Sequence, residues 1–171
     1  MDLIDAVFGR VKWIRFSDYC NRRVGMSDET QSLYQLIGHE RLQQTVNLFY
    51  TSVLKDPLLQ PLFGDGHPTH VEHLTAFLAE VFGGPPRYTD ELGGFATILK
   101  AHRGLNITDE QRARFIELFD LAMVRTGLGN DDTIRMTLNE YLSFGTEVAQ
   151  INSFATTDAE LHPCQEVPRW P

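Results

Sequence analysis

The sequence has little cysteine, no long apolar run and a deficit of positive charge. Two cysteines, Cys20 and Cys164, stand near opposite ends of 171 residues. Two thiols build no disulfide framework, which points to a reducing, cytoplasmic setting. No stretch of about 18 apolar residues occurs, so no transmembrane helix is expected. Asp2 and Asp5 replace the basic head of a secretory signal, and no long apolar run leads to a small-residue cleavage site. Lysine and arginine number 15 against 23 acidic residues, a net charge of −8. A chain of that sign repels polyanions, which excludes broad affinity for nucleic acid or an anionic membrane. Internal repeats, low-complexity tracts and alternating strand patterns are missing. So are a phosphate loop, a nucleotide-binding fingerprint and a catalytic triad.

What remains is helical periodicity and an excess of phenylalanine, 11 residues in all. Segment 39–55 places Leu42, Val46, Phe49, Tyr50, Val53 and Leu54 at steps of three and four, one apolar stripe. Asp56-Pro57 closes it, because the residue before proline resists the α conformation. Segment 69–82 repeats the pattern with Leu74, Phe77, Leu78, Val81 and Phe82, and Gly83-Gly84-Pro85-Pro86 stops it. Residues 87–107 read as a loop with one to three helical turns ending near His102. Thr108 to Gln111 fits a capping box, in which the threonine hydroxyl takes an amide and the glutamine reaches back. Phe115, Ile116, Phe119, Met123 and Val124 then supply an apolar face, and Gly127 is a natural stop. Asp131 or Asp132 opens the last long helix, striped by Ile134, Leu138, Tyr141, Leu142, Val148 and Ile151. The class is all-α. Residues 1–24 form a further amphipathic stripe with Ile4, Val7, Phe8, Val11 and Ile14, and residues 153–171 read as a polar, extended tail.

Function turns on His102, which follows a short helical turn and precedes Gly104. Tyr50 sits within an apolar stripe, and a buried tyrosine needs a partner for its hydroxyl. The double glycine after the second stripe and the aromatic excess suit a slot for a flat ligand. The run Phe49-Tyr50, then Asp56-Pro57-Leu58-Leu59-Gln60-Pro61-Leu62-Phe63, then Phe77-Leu78 to Phe82-Gly83-Gly84-Pro85, resembles truncated globins of group II. So do Tyr88, Ala101-His102 and Ile107-Thr108, and the likeness spans roughly residues 33–152. It implies a two-over-two helical sandwich holding haem b, with an amphipathic extension over 1–30, the globin domain over 31–153 and the tail over 154–171.

The resemblance implies His102 as the proximal iron ligand and Tyr50 as the distal tyrosine. It implies Phe49, Phe63, Leu74, Phe77, Tyr88 and Phe115 around the porphyrin, with Lys100 or Arg103 at a propionate. Aligned on the double glycine, His70 faces the iron on the ligand side. There it donates to a ligand, swings as a gate or binds iron itself, while the neighbouring His67 and His73 are expected to be solvated. The implied function is reversible binding of dioxygen, and of nitric oxide and carbon monoxide, at pentacoordinate iron. Nitric oxide dioxygenation or peroxidase-like turnover is the alternative, and either needs an external reductase. The stripe in residues 1–30 suggests a homodimer contact.

Two departures stand out. Group II members place a tryptophan where Phe115 stands, so an indole donor is lost. The stretch from Ala101 to Thr108 also reads partly like group I. Two other classes compete: a non-haem metal site on His67, His70 and His73, and a cofactor-free helical interaction module. Residues six apart on a helix diverge, which disfavours the former.

Overall fold

The computed structural model describes residues 31–161 and 166–170. The amphipathic segment over 1–30, His162, Cys164 and the dimer contact suggested for the N-terminal stripe lie outside the described residues. Helices α1 (Leu33–Ile37), α2 (His39–Val53), α3 (Gln60–Phe63), α4 (His70–Val81) and α5 (Arg87–Glu91) come first. Helices α6 (Gly94–His102), α7 (Asp109–Arg125) and α8 (Asp132–Ser153) follow, with 3-10 turns at Leu128–Asn130 and Asp158–Glu160. No strand occurs among the described residues, and none of their helices is long and apolar enough to cross a membrane.

Helix α2 packs on α4, α7 packs on α8, and the two pairs meet most extensively along α2 and α7. This crossing is the two-over-two sandwich. The stripe of α2 drives it: Leu42, Val46, Phe49 and Val53 are each fully buried. Phe49 stacks edge-on against Phe115 and tilts against Phe119, with ring centroids 4.6 and 5.1 Å away. Aromatic pairs at such distances add about 0.5–1.5 kcal/mol beyond the area they bury.

Helix ends are set by local chemistry. Asp56 ends the first long segment by a different route from the one proline predicts. Its carboxylate accepts the Leu58 and Leu59 amides at 3.0 and 3.2 Å and turns the chain into α3. The Arg114 guanidinium holds the same carboxyl below the usual carboxylate range against an opposing push from burial, and the two amides help. A carboxyl with a depressed folded pKa stabilises the fold above its unfolded value, near pH 3.8, and that contribution is lost as pH falls through the lower folded value. Acid titration of the urea midpoint is therefore expected to show a loss beginning below about pH 4 that shrinks in an Arg114→Leu variant.

The capping box at α7 is present as expected. The Thr108 hydroxyl accepts the Gln111 amide at 3.2 Å, and the Gln111 side chain accepts the Thr108 amide at 3.0 Å. Thr108→Ala is expected to cost about 1 kcal/mol, a fall of about 2–4 °C in the melting midpoint by calorimetry. Ser32 and Gln35 build a second capping box at α1, a short helix without an apolar stripe to mark it in the sequence.

Three expectations are corrected. Residues 87–107 hold more helix than expected: α6 supplies the turns ending at His102, and α5 is an additional helix where a loop was expected. Gly93, at φ 96°, adopts a left-handed conformation that a side chain would strain, and this lets α6 start only two residues after α5 ends. Val124 points outward, 46% exposed, and Leu118 and Ala122 take the inner face of α7 instead. The tail is docked rather than free. Val167 is buried, the Trp170 amide donates to the Val81 carbonyl, and Arg169 donates to the carbonyls of Glu80 and Gly84. The Trp170 amide thereby pairs a carbonyl in the last turn of α4, where helical partners run out. The Trp170 ring adds contacts with Tyr141 and Phe144 of α8, with centroids 5.4 and 5.5 Å away.

Candidate functional site

His102 is the last residue of α6 and half-buried. Its Nδ1 lies 2.8 Å from the Ile98 carbonyl. A carbonyl only accepts, so Nδ1 carries the proton and Nε2 keeps its lone pair. Burial pushes the imidazole pKa down, and the Ile98 carbonyl opposes that push only in part. The outcome is a neutral ring with one oriented nitrogen available to a metal, the form in which histidine ligates iron.

Helix α2 carries Tyr50, only 8% exposed. Its hydroxyl meets His70 Nδ1 at 2.6 Å and accepts the His67 backbone N–H at 2.9 Å. Gly66, at φ 86°, brings the turn this close. A Cβ on it would fall 3.1 Å from the Tyr50 hydroxyl and 3.0 Å from Leu54, so a side chain there would crowd both. Phe63 packs edge-on against both Tyr50 and His70, with centroids 6.0 and 6.1 Å away. Burial pushes the His70 pKa down, helped by the nearby His67 and His73.

The remaining predicted residues divide into two groups. Phe77 and Tyr88 are buried and stand edge to face at 5.4 Å. Phe63, Leu74 and Phe115 pack on the core yet keep part of their surface uncovered. Half-covered apolar side chains are what a flat hydrophobic ligand would bury. Phe49 by contrast is wholly enclosed, so it backs Phe115 rather than reaching a ligand directly.

Lys100 and Arg103 are not free cations. Both pair with Asp158 of the 3-10 turn, Lys100 at 3.4 Å. No pattern in the sequence announced Asp158, because a pair 55 residues apart has no periodic signature. The His67 amide was missed for a similar reason: backbone donors leave no mark in residue types.

His67 is exposed as expected, while His73 is half-buried, its ring edge-on to Tyr88 at 6.3 Å. Among the described residues no group of three or more histidine, cysteine, aspartate or glutamate side chains converges as a metal site. The His102 imidazole, neutral with one oriented nitrogen, suits a metal that takes a single ligand from the protein. Haem iron is such a metal.

Comparison with known proteins agrees. The model of the bacterial-like globin family matches residues 32–144. The chain is 30% identical to the group 2 truncated hemoglobin YjbI of Bacillus subtilis over 135 residues, 79% of this chain and 97% of that one. Among solved structures, a truncated oxygen-avid haemoglobin from Bacillus subtilis superposes with a TM-score of 0.62 at 32% identity, covering 68% of this chain and 97% of the other. The group II truncated hemoglobin of Bacillus anthracis gives 0.65 at 26% identity, covering 72% and 92%. With matching architecture, helix order and family model, the chain belongs to the bacterial-like globin family and has the truncated, two-over-two form of the globin fold.

Proposed function

We propose that the chain is a haem globin that binds dioxygen reversibly, with His102 as the protein ligand to the iron and Tyr50 as the distal hydrogen-bond donor. The observation that carries this reading is the Ile98 carbonyl on His102 Nδ1, which leaves a neutral, oriented Nε2. The cofactor would be haem b, held by His102, and would supply an iron that binds a diatomic ligand. Phe63, Leu74, Phe77, Tyr88 and Phe115 supply the apolar walls. Lys100 and Arg103 are the cations at the rim, and either one meets a propionate by giving up Asp158.

The residues act by charge and exclusion. A diatomic ligand polarised by iron gains negative charge on its outer atom, most of all dioxygen. A phenol O–H aimed there forms a hydrogen bond worth about 1.5–3 kcal/mol. Carbon monoxide and nitric oxide enter the same position with less charge to stabilise, so Tyr50 favours dioxygen over both. Phe115 is flat but carries no donor, so on this reading the distal hydrogen bond comes from Tyr50 of α2 and not from α7.

The test is the optical spectrum of the protein reconstituted with haemin, in ferric, ferrous and oxygenated forms. A strong Soret band, a five-coordinate ferrous form and a stable oxygenated spectrum are expected. A colourless protein would refute the reading. A six-coordinate low-spin ferrous spectrum would make His70 a second iron ligand and remove the open position.

A further inference from the structure

The Tyr50 hydroxyl has one proton and two lone pairs. One lone pair takes the His67 N–H. The contact with His70 Nδ1, at 2.6 Å, has two possible polarities. With Nδ1 unprotonated, the phenol gives its only proton to His70 and has none for a ligand. With Nδ1 protonated, the imidazole donates to the second lone pair and the phenol proton is free.

We propose that His70 is a positioning residue that decides whether Tyr50 donates to a bound diatomic ligand, and that protonation of His70 releases the phenol proton to the ligand. The proposal rests on the reading of Tyr50 as distal donor. No bond other than hydrogen bonds changes. One proton enters from solvent at His70, the Nδ1–H points to the Tyr50 oxygen, and the phenol O–H turns to the ligand. The groups facing His70 are Tyr50 from α2, Phe63 and His67 from the segment after it, and His73 from the next turn of α4. Among the described residues His70 forms no ion pair with a carboxylate. Its surroundings oppose the cation, so the exchange falls on the acid side of the usual histidine range.

The direction is definite: dioxygen leaves more slowly as pH falls. Stopped-flow dissociation from the haem-loaded full chain is expected to slow roughly tenfold between pH 8 and pH 5, as one added hydrogen bond predicts. The midpoint should lie below 6.5, the ordinary histidine value. In the carbon monoxide adduct the C–O stretch is expected to fall in frequency with the same midpoint. Histidine nitrogen-15 resonances of that diamagnetic adduct should show His70 Nδ1 gaining its proton over the same range.

His70→Leu removes the competitor, so its dissociation should be slow at every pH. The double variant His67→Gln, His73→Gln should keep the step. A flat wild-type profile, an Nδ1 already protonated at pH 8, or a His70→Leu variant faster than wild type would each overturn the proposal. The last would make His70 itself the ligand donor. Tyr50→Phe separates the two levels of argument. If it leaves dissociation unchanged at both pH values, the distal-tyrosine reading fails; if it speeds dissociation while the wild type stays flat, only the role of His70 fails.

Discussion

His102→Ala is expected to produce a folded protein that does not retain haem. The side chain ends α6 and is only half-buried, and its one hydrogen bond goes to a carbonyl one turn back in the same helix. Removing it opens no cavity in the sealed core, which is built from Phe49, Phe82, Phe119 and the leucines around them. Far-UV circular dichroism of the haem-free variant should therefore match that of the wild type. Haem retention behaves differently. Disturbing a group that merely orients a metal ligand costs about 10- to 100-fold in metal affinity, and here the ligand itself is lost. Transfer of haemin to an acceptor globin should accelerate by more than about 100-fold, leaving little Soret absorbance after gel filtration. A variant that keeps the wild-type Soret position and haemin affinity would assign the iron to another side chain.

The parts of the molecule that were legible in the sequence are those with a local signature. The stripe from Leu42 to Val53 has one face, and that face is the core. The capping box at Thr108 is four residues long, so residue types alone declare it. Tyr50 and His102 stood out because each is chemically odd in its setting, a hydroxyl in an apolar stripe and an imidazole at a helix end. What was illegible is long-range or belongs to the backbone. Asp158 reaches Lys100 and Arg103 across more than fifty residues, and the tail reaches α4 across more than eighty. The α5–α6 junction depends on a left-handed glycine, and Gly93-Gly94 reads as a breaker when the surrounding burial is unknown. Tyr88 is the piece that settles it. Its buried ring pins α5 against Phe77, while the buried Glu80 carboxylate takes the amide and hydroxyl of Thr89 at 2.9 and 2.5 Å.

The exposure of Val124 has a similar cause. A helix of 17 residues rotates its apolar stripe along its length, and neighbours decide which residues face inward. Helix α2 lies across α7, so Leu118, Phe119, Ala122 and Met123 are covered and Val124 is not. Phe115 falls at the uncovered edge of the same contact, backed by Phe49. One crossing thus both seals the core and leaves the Phe115 ring partly uncovered.

Tyr50→Phe is expected to change the dioxygen dissociation rate little at pH 8, where His70 holds the phenol proton, and to raise it by about 10-fold at pH 5. The substitution removes one oxygen and leaves the ring against Phe63. Its cost to the fold is limited but real, because the His67 amide and His70 Nδ1 lose their shared partner. Unpaired polar groups cost about 1–3 kcal/mol when buried, and less here because His67 is exposed. The larger effect falls on the ligand. With no phenol proton to give, the variant has the same rate at both pH values, whereas the wild type slows in acid. Carbon monoxide serves as the internal control, since its outer atom carries little charge: its dissociation should change less than threefold, within a fraction of a hydrogen bond. Equal acceleration for both gases would mean that the substitution had opened the slot instead of removing a donor, and the distal role of Tyr50 would be withdrawn.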